Sequence, residues 1–328
     1  MIENIIKEIM RIKNNTCCDT AFNIVDGKFS GKNEFVILIK PECFAVNRTE
    51  NIEKVVDLIL EVLKKNNVSI GAYRIFNGEY SRIHSLIENE YYILNRGARY
   101  GLSHIAYVNR ERINKSNVGK IILGAYGFLA LSKKFNEESL EQLTEITPCA
   151  KIGNGTYTID VEEDGNVYTV INPFHPFQLT HFNATGSITV ALMCRSDTTY
   201  AQLASEMIGH YIPSMALQQS IRGKLFLLQK ELDIQINNLY NGVHISPSPL
   251  EGAIGFYRYW DKNLYNLLGQ TNCECELKRS LKNKVDLISL SENPTFYING
   301  EYQDLFGAVE GKDLTEVADV IKNGFLYI

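Results

Sequence analysis

The sequence predicts a mixed α+β protein, and three observations carry that reading. Short β-branched runs alternate with segments whose apolar residues recur at helical spacing, in the order strand, helix, strand, helix over residues 34–94. Two dipeptides of hairpin type, Asp164-Gly165 and Asn299-Gly300, sit between alternating strand-like segments. A helix-start signature with Pro at the first helical position, Ser248-Pro249-Leu250-Glu251, directly follows a strand-like stretch.

Residues 1–33 read as an amphipathic helix, "MIENIIKEIMRIKNN", followed by a polar, Gly-containing connector. Acids and bases are interspersed along that helix, so it is not expected to be a signal peptide. "EFVILIK", 34–40, is a buried strand. The segment 50–65 carries apolar residues at 52, 55, 56, 59, 62 and 63 with lysines in its last turn, a helix. "VSIGAYRIF", 68–76, is a second strand and 79–94 a second helix. Residues 95–172 break the rhythm and read as an insertion, with a helix over "VGKIILGAYGFLALSKKF" and a hairpin around Asp164-Gly165. A strand over 186–194, a short helix from 199, a loop over 213–221, a strand over 242–246 and a helix from 249 to about 262 follow. Residues 263–328 read as a C-terminal extension with a linker, a hairpin at Asn299-Gly300 and a helix around 313–323. The expected organisation is an arm (1–33), a core domain (34–262) interrupted by 95–172, and the extension (263–328).

Bulk properties narrow the function classes. The 328 residues are 45% hydrophobic and 22% charged, as in a globular protein with a sizeable core. A net charge of −5 with no basic stripe argues against nucleic acid as a partner. No apolar run approaches the ~20 residues of a membrane span. Seven cysteines without repeating spacing read as reduced thiols, hence a cytoplasmic setting, and no His/Cys/Asp cluster has ligand spacing for a protein-held metal.

The stretch that points to chemistry is "NLYNGVHISPSPLEGAI". His244 lies at the end of the strand-like segment, just ahead of a helix N-terminus. Free N–H groups and the helix dipole there favour a phosphate, and a neutral imidazole beside an anion site can accept a phosphoryl group. The competing reading is a satisfied structural histidine.

Three pieces now stand in order: "FVILIKPECF", "IPSMALQQSIRGKLF" and "NGVHISPS", with "HPFQLTHFNATGSITVALM" leading into the third strand. Together they resemble nucleoside diphosphate kinases over roughly 34–94 and 173–262. That family has a Lys-Pro at the end of its first strand, a Pro nine residues before the Arg of a Thr-Ile-Arg-Gly motif, and an Asn-x-x-His-x-Ser segment. Here Pro213 and Arg222 are nine apart, within Ser220-Ile221-Arg222-Gly223. The resemblance implies a ferredoxin-like βαββαβ antiparallel sheet, carrying here an inserted helix/hairpin subdomain and a C-terminal extension. It also implies ping-pong transfer of the γ-phosphoryl of ATP or another NTP, with Mg²⁺ riding on the nucleotide phosphates. His244 matches the phosphoryl carrier, Lys40 and Arg222 the phosphate-neutralising cations, and Asn241 a sugar-binding residue. Phe177 matches the base-stacking aromatic, Ser246 the serine after the nucleophile, and Tyr91 (or Tyr92) a tyrosine near the histidine. A homo-oligomer is implied, with a dimer expected because the insertion is large.

The departures are specific. The family's second phosphate arginine falls on Ser205, its phosphate-binding threonine on Tyr211, and the glutamate that orients the histidine on Gly255. Losing a charge-assisted contact to a phosphate costs ~1.5–3 kcal/mol. Glu251, one turn before Gly255, is the expected substitute for the orienting glutamate; closing the capping box back to Ser248 is its competing role. Taken alone, Lys40 reads as a strand-end lysine, Arg222 as a turn cap or partner of Glu206, and Phe177 as core. His84, His104, His175 and His181 match no catalytic position, whereas His210 lies where it can replace a lost cation. Two alternatives follow: a nucleotide-binding relative with altered chemistry and a regulatory or assembly role, or a kinase repurposed for a small metabolite.

Overall fold

The structure, a computed structural model, describes all residues except 14, 16, 26, 47, 148, 261–269, 282–286 and 327–328, and leaves the side chains of 280 and 281 undescribed. Its strands are β1 (Thr20–Ile24), β2 (Asn33–Ile39), β3 (Ser69–Asn77), β4 (Ile121–Gly124), β5 (Ala150–Gly153), β6 (Thr156–Glu163), β7 (Asn166–Ile171), β8 (Ile188–Ser196), β9 (Val243–Ile245), β10 (Thr295–Ile298), β11 (Glu301–Asp304) and β12 (Phe325–Leu326). The chain forms two compact units. One comprises Met1–Leu86, Phe182–Leu287 and Gly311–Asp319; the other comprises Ile87–His181, Ile288–Glu310 and Val320–Ile328.

The first unit is built on a five-stranded antiparallel sheet ordered β1-β3-β8-β2-β9. Every residue of β2 is buried, as its unbroken apolar run requires. Alternate side chains face alternate sides. Phe35, Ile37 and Ile39 of β2 join Tyr73, Ile75, Val190 and Leu192 in one core. Helices cover that side. Ile5 and Ile9 come from Ile2–Lys13, Val55, Ile59 and Val62 from Thr49–Lys65, and Ile221 and Leu225 from Ile221–Leu232. Each such side chain contributes about 1.5–3 kcal/mol on burial. On the opposite side the helix Pro249–Tyr259 lies directly against β2. A Cβ at Gly255 would sit 2.7 Å from Val36 Cγ2, and one at Gly252 would collide with the Glu34 carbonyl.

The second unit holds a four-stranded sheet ordered β4-β7-β6-β5, in which β4 and β7 run parallel, and a three-stranded sheet ordered β11-β10-β12. Ala98, Phe128, Leu140, Ile159 and Val170 form its core. Buried Asn172 pins the β7 end: its Oδ1 accepts the Tyr157 N–H at 2.8 Å and its Nδ2 donates to the carbonyls of Leu94 and Gly155.

Both hairpins form where expected, with Asp164, Gly165, Asn299 and Gly300 all at positive φ. Three local expectations are corrected. The connector after the first helix contains β1, which completes the sheet edge beside β3. The helix over 79–94 is divided into Gly78–His84, Leu86–Glu90 and Tyr92–Tyr100, the first break falling at Ser85 with φ of 50°. The run after Val118 is not all helix: Ile121–Gly124 pairs with β7, and helix begins only at Ala125. The helix from Pro249 ends at Tyr259, and the expected boundary at 262 lies outside the described residues.

Candidate functional site

β2 ends at Ile39, and Lys40 follows with its backbone extended before the short turn Pro41–Phe44. β9 runs antiparallel beside it, with Ile37 opposite Ile245, Leu38 opposite His244 and Ile39 opposite Val243. Val243 turns into the helix-covered core. His244 therefore projects from the other face, which Val36, Leu38 and the helix Pro249–Tyr259 share. It is half-buried.

Around this strand pair the structure gathers several of the expected residues. Lys40 is buried, and its Nζ donates to Asn241 Oδ1 at 2.7 Å. Asn241 Nδ2 in turn donates to the Tyr211 carbonyl at 3.3 Å, so the loop after the third core strand closes on the same place. Arg222, in the first turn of its helix, donates to the Gly209 carbonyl at 2.9 Å and to the Val243 carbonyl at 2.8 Å, next to His244. Burial pushes the Lys40 ammonium down to about 8; Arg222 pushes it the same way, while Glu42 opposes both. Two cations thus repel each other near the acid Glu42, an arrangement that an added anion would relieve.

Ser246 is buried and works within the sheet. Its Oγ accepts the Val36 N–H at 3.0 Å, and its carbonyl accepts Tyr200 Oη at 2.5 Å. The Tyr211 ring is exposed and leans on His210 at 4.6 Å between centroids. His210 Nδ1 accepts the Ile212 N–H at 3.1 Å. Glu251 lies at the third position of its helix, where its N–H donates to Ser248 Oγ at 3.3 Å and its carboxylate accepts from the same hydroxyl at 3.2 Å. Ser205 donates to the Ala201 carbonyl at 2.7 Å. Tyr91, buried, and Phe177, half-buried on the helix His175–Phe182, belong to the second unit. There His175 is fully buried, and desolvation lowers it to about 4, so it is a neutral core histidine.

Two residues at the site carry no mark in the sequence reading. Buried Glu42 accepts the Gly242 N–H at 2.8 Å, and buried Cys43 donates through Sγ to the Gly242 carbonyl at 3.3 Å. The signal for them is an acid and a thiol directly after Lys40-Pro41 at the close of an apolar strand. Among the described residues, no group of three or more His, Cys, Asp or Glu is disposed to hold a metal ion, and no helix is long and apolar enough to cross a membrane.

No family model matches the chain, and no curated protein matches it. Among solved structures, an NDP kinase from Pyrobaculum aerophilum is similar to it at 14% identity and a TM-score of 0.36, over 70% of this chain and 97% of that one. A likeness that slight has no bearing on the site.

Proposed function

We propose that this protein is a nucleotide-binding phosphotransferase that carries the γ-phosphoryl group of an NTP on His244. One observation supports the reading above others: two cations, buried Lys40 and half-buried Arg222, at the β2 end beside the strand that bears His244. The proposed architecture is ferredoxin-like. Without β1, the first sheet runs β3-β8-β2-β9, with Thr49–Lys65 and Ile221–Leu232 as helices on one side.

In the proposed reaction, Lys40 and Arg222 draw the triphosphate to the strand end and spread its charge as the terminal phosphoryl group departs. The imidazole of His244 attacks phosphorus as the bond to the leaving diphosphate breaks. A second nucleotide, or a related acceptor, then takes the group from the ring. Mg²⁺ enters with the nucleotide as part of the substrate. Asn241, just ahead of β9, and the Tyr211 loop are the proposed nucleotide contacts. We also propose a cytoplasmic homodimer, for which light scattering at micromolar concentration should give twice the chain mass; a monomer mass contradicts it.

The decisive experiment is acid-labile labelling of the full chain by γ-labelled ATP. His244→Ala should abolish it while leaving the melting transition in place; undiminished labelling of that variant refutes the carrier role. A second reading, anion binding without transfer, is favoured by the commitment of two Arg222 nitrogens to backbone carbonyls. Nucleotide binding with no labelling of the unmodified protein would select it. Labelling followed by discharge only to a non-nucleotide acceptor would select a kinase for a small metabolite.

A further inference from the structure

We propose that Glu42 is the positioning residue of this site: by gripping Gly242 it fixes the backbone that carries Asn241 and His244, and it keeps Lys40 charged beside them. The second half of this rests on the reading of Lys40 as an anion-binding cation.

The geometry converges on one residue. Gly242 gives its N–H to Glu42 Oε1 at 2.8 Å, while its carbonyl receives the Lys40 N–H at 2.9 Å and Cys43 Sγ at 3.3 Å. The tetrapeptide 40–43 thus closes on both polar groups of Gly242. Only glycine fits the grip: φ is +79°, and a Cβ would stand 2.6 Å from Leu225 Cδ1. Asn241, immediately before, takes the Lys40 Nζ; Val243, immediately after, takes Arg222; His244 is next. Moving Gly242 would therefore move both contacts and His244 together.

The electrostatics point the same way. The charged and titratable groups that act on Lys40 are Glu42 and Cys43 from its own turn and Arg222 from the helix Ile221–Leu232. Glu42 is the acid whose charge offsets burial and Arg222 there. An opposite charge within ~4–6 Å moves such a group by ~1–3 units. Without it, Lys40 would give up its proton near neutral pH and the strand end would lose half of its cation pair. A purely structural Glu42 would need only an acceptor oxygen, which separates the two roles experimentally.

Glu42→Gln keeps an acceptor for Gly242 and removes the charge. In the full-length protein the Lys40 Nζ titration can be followed by heteronuclear NMR, assigned with Lys40→Arg. Its midpoint should fall by about one pH unit, and affinity for inorganic tripolyphosphate at pH 7.5 should drop roughly threefold as the protonated fraction shrinks. An unmoved Lys40 midpoint overturns the charge role. If tripolyphosphate fails to bind the unmodified protein while the midpoint still moves, the nucleotide reading falls and the assignment of Glu42 stands. Glu42→Asp tests the grip independently, and still does so if the glutamine variant does not fold. It keeps the charge on a shorter arm, so the Gly242 amide should exchange with solvent faster while the Lys40 midpoint holds. Unchanged exchange at Gly242 overturns the grip.

Discussion

The two ends of β2 are both polar and both buried, yet they are finished in opposite ways. At the first end Asn33 donates to the Thr198 carbonyl and to Asp313, each at 3.0 Å, and accepts the Leu314 N–H at 2.9 Å. Glu34 accepts Arg195 Nη2 at 2.6 Å and Nε at 3.0 Å, together with the N–H groups of Asn272 and Cys273 at the start of the helix Asn272–Leu281. Arg195 in turn lies over the Phe29 ring at 4.4 Å. One carboxylate there meets one guanidinium and fills one helix N-terminus, so the donors and acceptors match. At the other end Lys40 and Arg222 stand together near the carboxylate of Glu42. A cluster closed in charge ties segments together; on the proposed reading the other, which brings two cations together, takes up an anion.

The largest expected effect tests the closed end. Glu34→Ala would leave Arg195 and two helix N–H groups without the buried acceptor they share, at a cost of about 3–5 kcal/mol in urea unfolding. A loss below about 1 kcal/mol would mean that this end is no more structural than the other. Lys40→Met is the matched test at the open end. It should weaken tripolyphosphate binding at pH 7 by ~10–100-fold, the equivalent of ~1.5–3 kcal/mol, without lowering stability.

The pH dependence sharpens the contrast. Lys40 is lowered by burial to about 8, so between about 8 and its ordinary value the unfolded chain holds a proton that the folded chain has released. Stability should therefore rise with pH across that window while anion affinity falls. Both trends should flatten in Lys40→Met. Parallel rather than opposed trends would show that Lys40 is not the group responsible.

How much of this was legible in the sequence depends on whether neighbours along the chain or neighbours in space decide. β2, the helix Thr49–Lys65 and both hairpins depend on local pattern and turn chemistry, and they stand within a residue or two of expectation. β1 is five residues with exposed Phe22, Asn23 and Ile24, paired to β3 at the sheet edge, so no apolar alternation announces it. Ile121–Gly124 is short and apolar and could serve as helix or strand; its partner β7, over forty residues away, decides. At the site, Lys40, Asn241 and Arg222 could be named from motif order, but Glu42 could not, because its partner Gly242 is 200 residues distant. Gly255 stands where the resemblance calls for a glutamate for a steric reason: Val36 leaves no room for a side chain.

That close packing makes Glu251 the last and smallest test of the open end. Its carboxylate accepts from Ser248 Oγ, as a helix cap would require. Its charge also reaches Tyr200, whose phenol is held well above its ordinary range first by burial and then by Glu251, and which is bonded to the Ser246 carbonyl two residues beyond His244. Capping and orientation of the imidazole make separate demands. Ser248→Ala removes the cap hydroxyl and keeps the carboxylate, so it should cost about 0.5–2 kcal/mol of stability and leave the phosphorylation rate of His244 unchanged. Glu251→Gln keeps an acceptor for the cap and removes the charge that would hold the ring's second N–H. It should slow labelling at least tenfold, about 1.4 kcal/mol in the barrier, with little change in melting temperature. If the glutamine variant is labelled at the normal rate and the alanine variant is the slower of the two, Glu251 serves the helix alone, and the acceptor that orients His244 belongs to the backbone or to another segment.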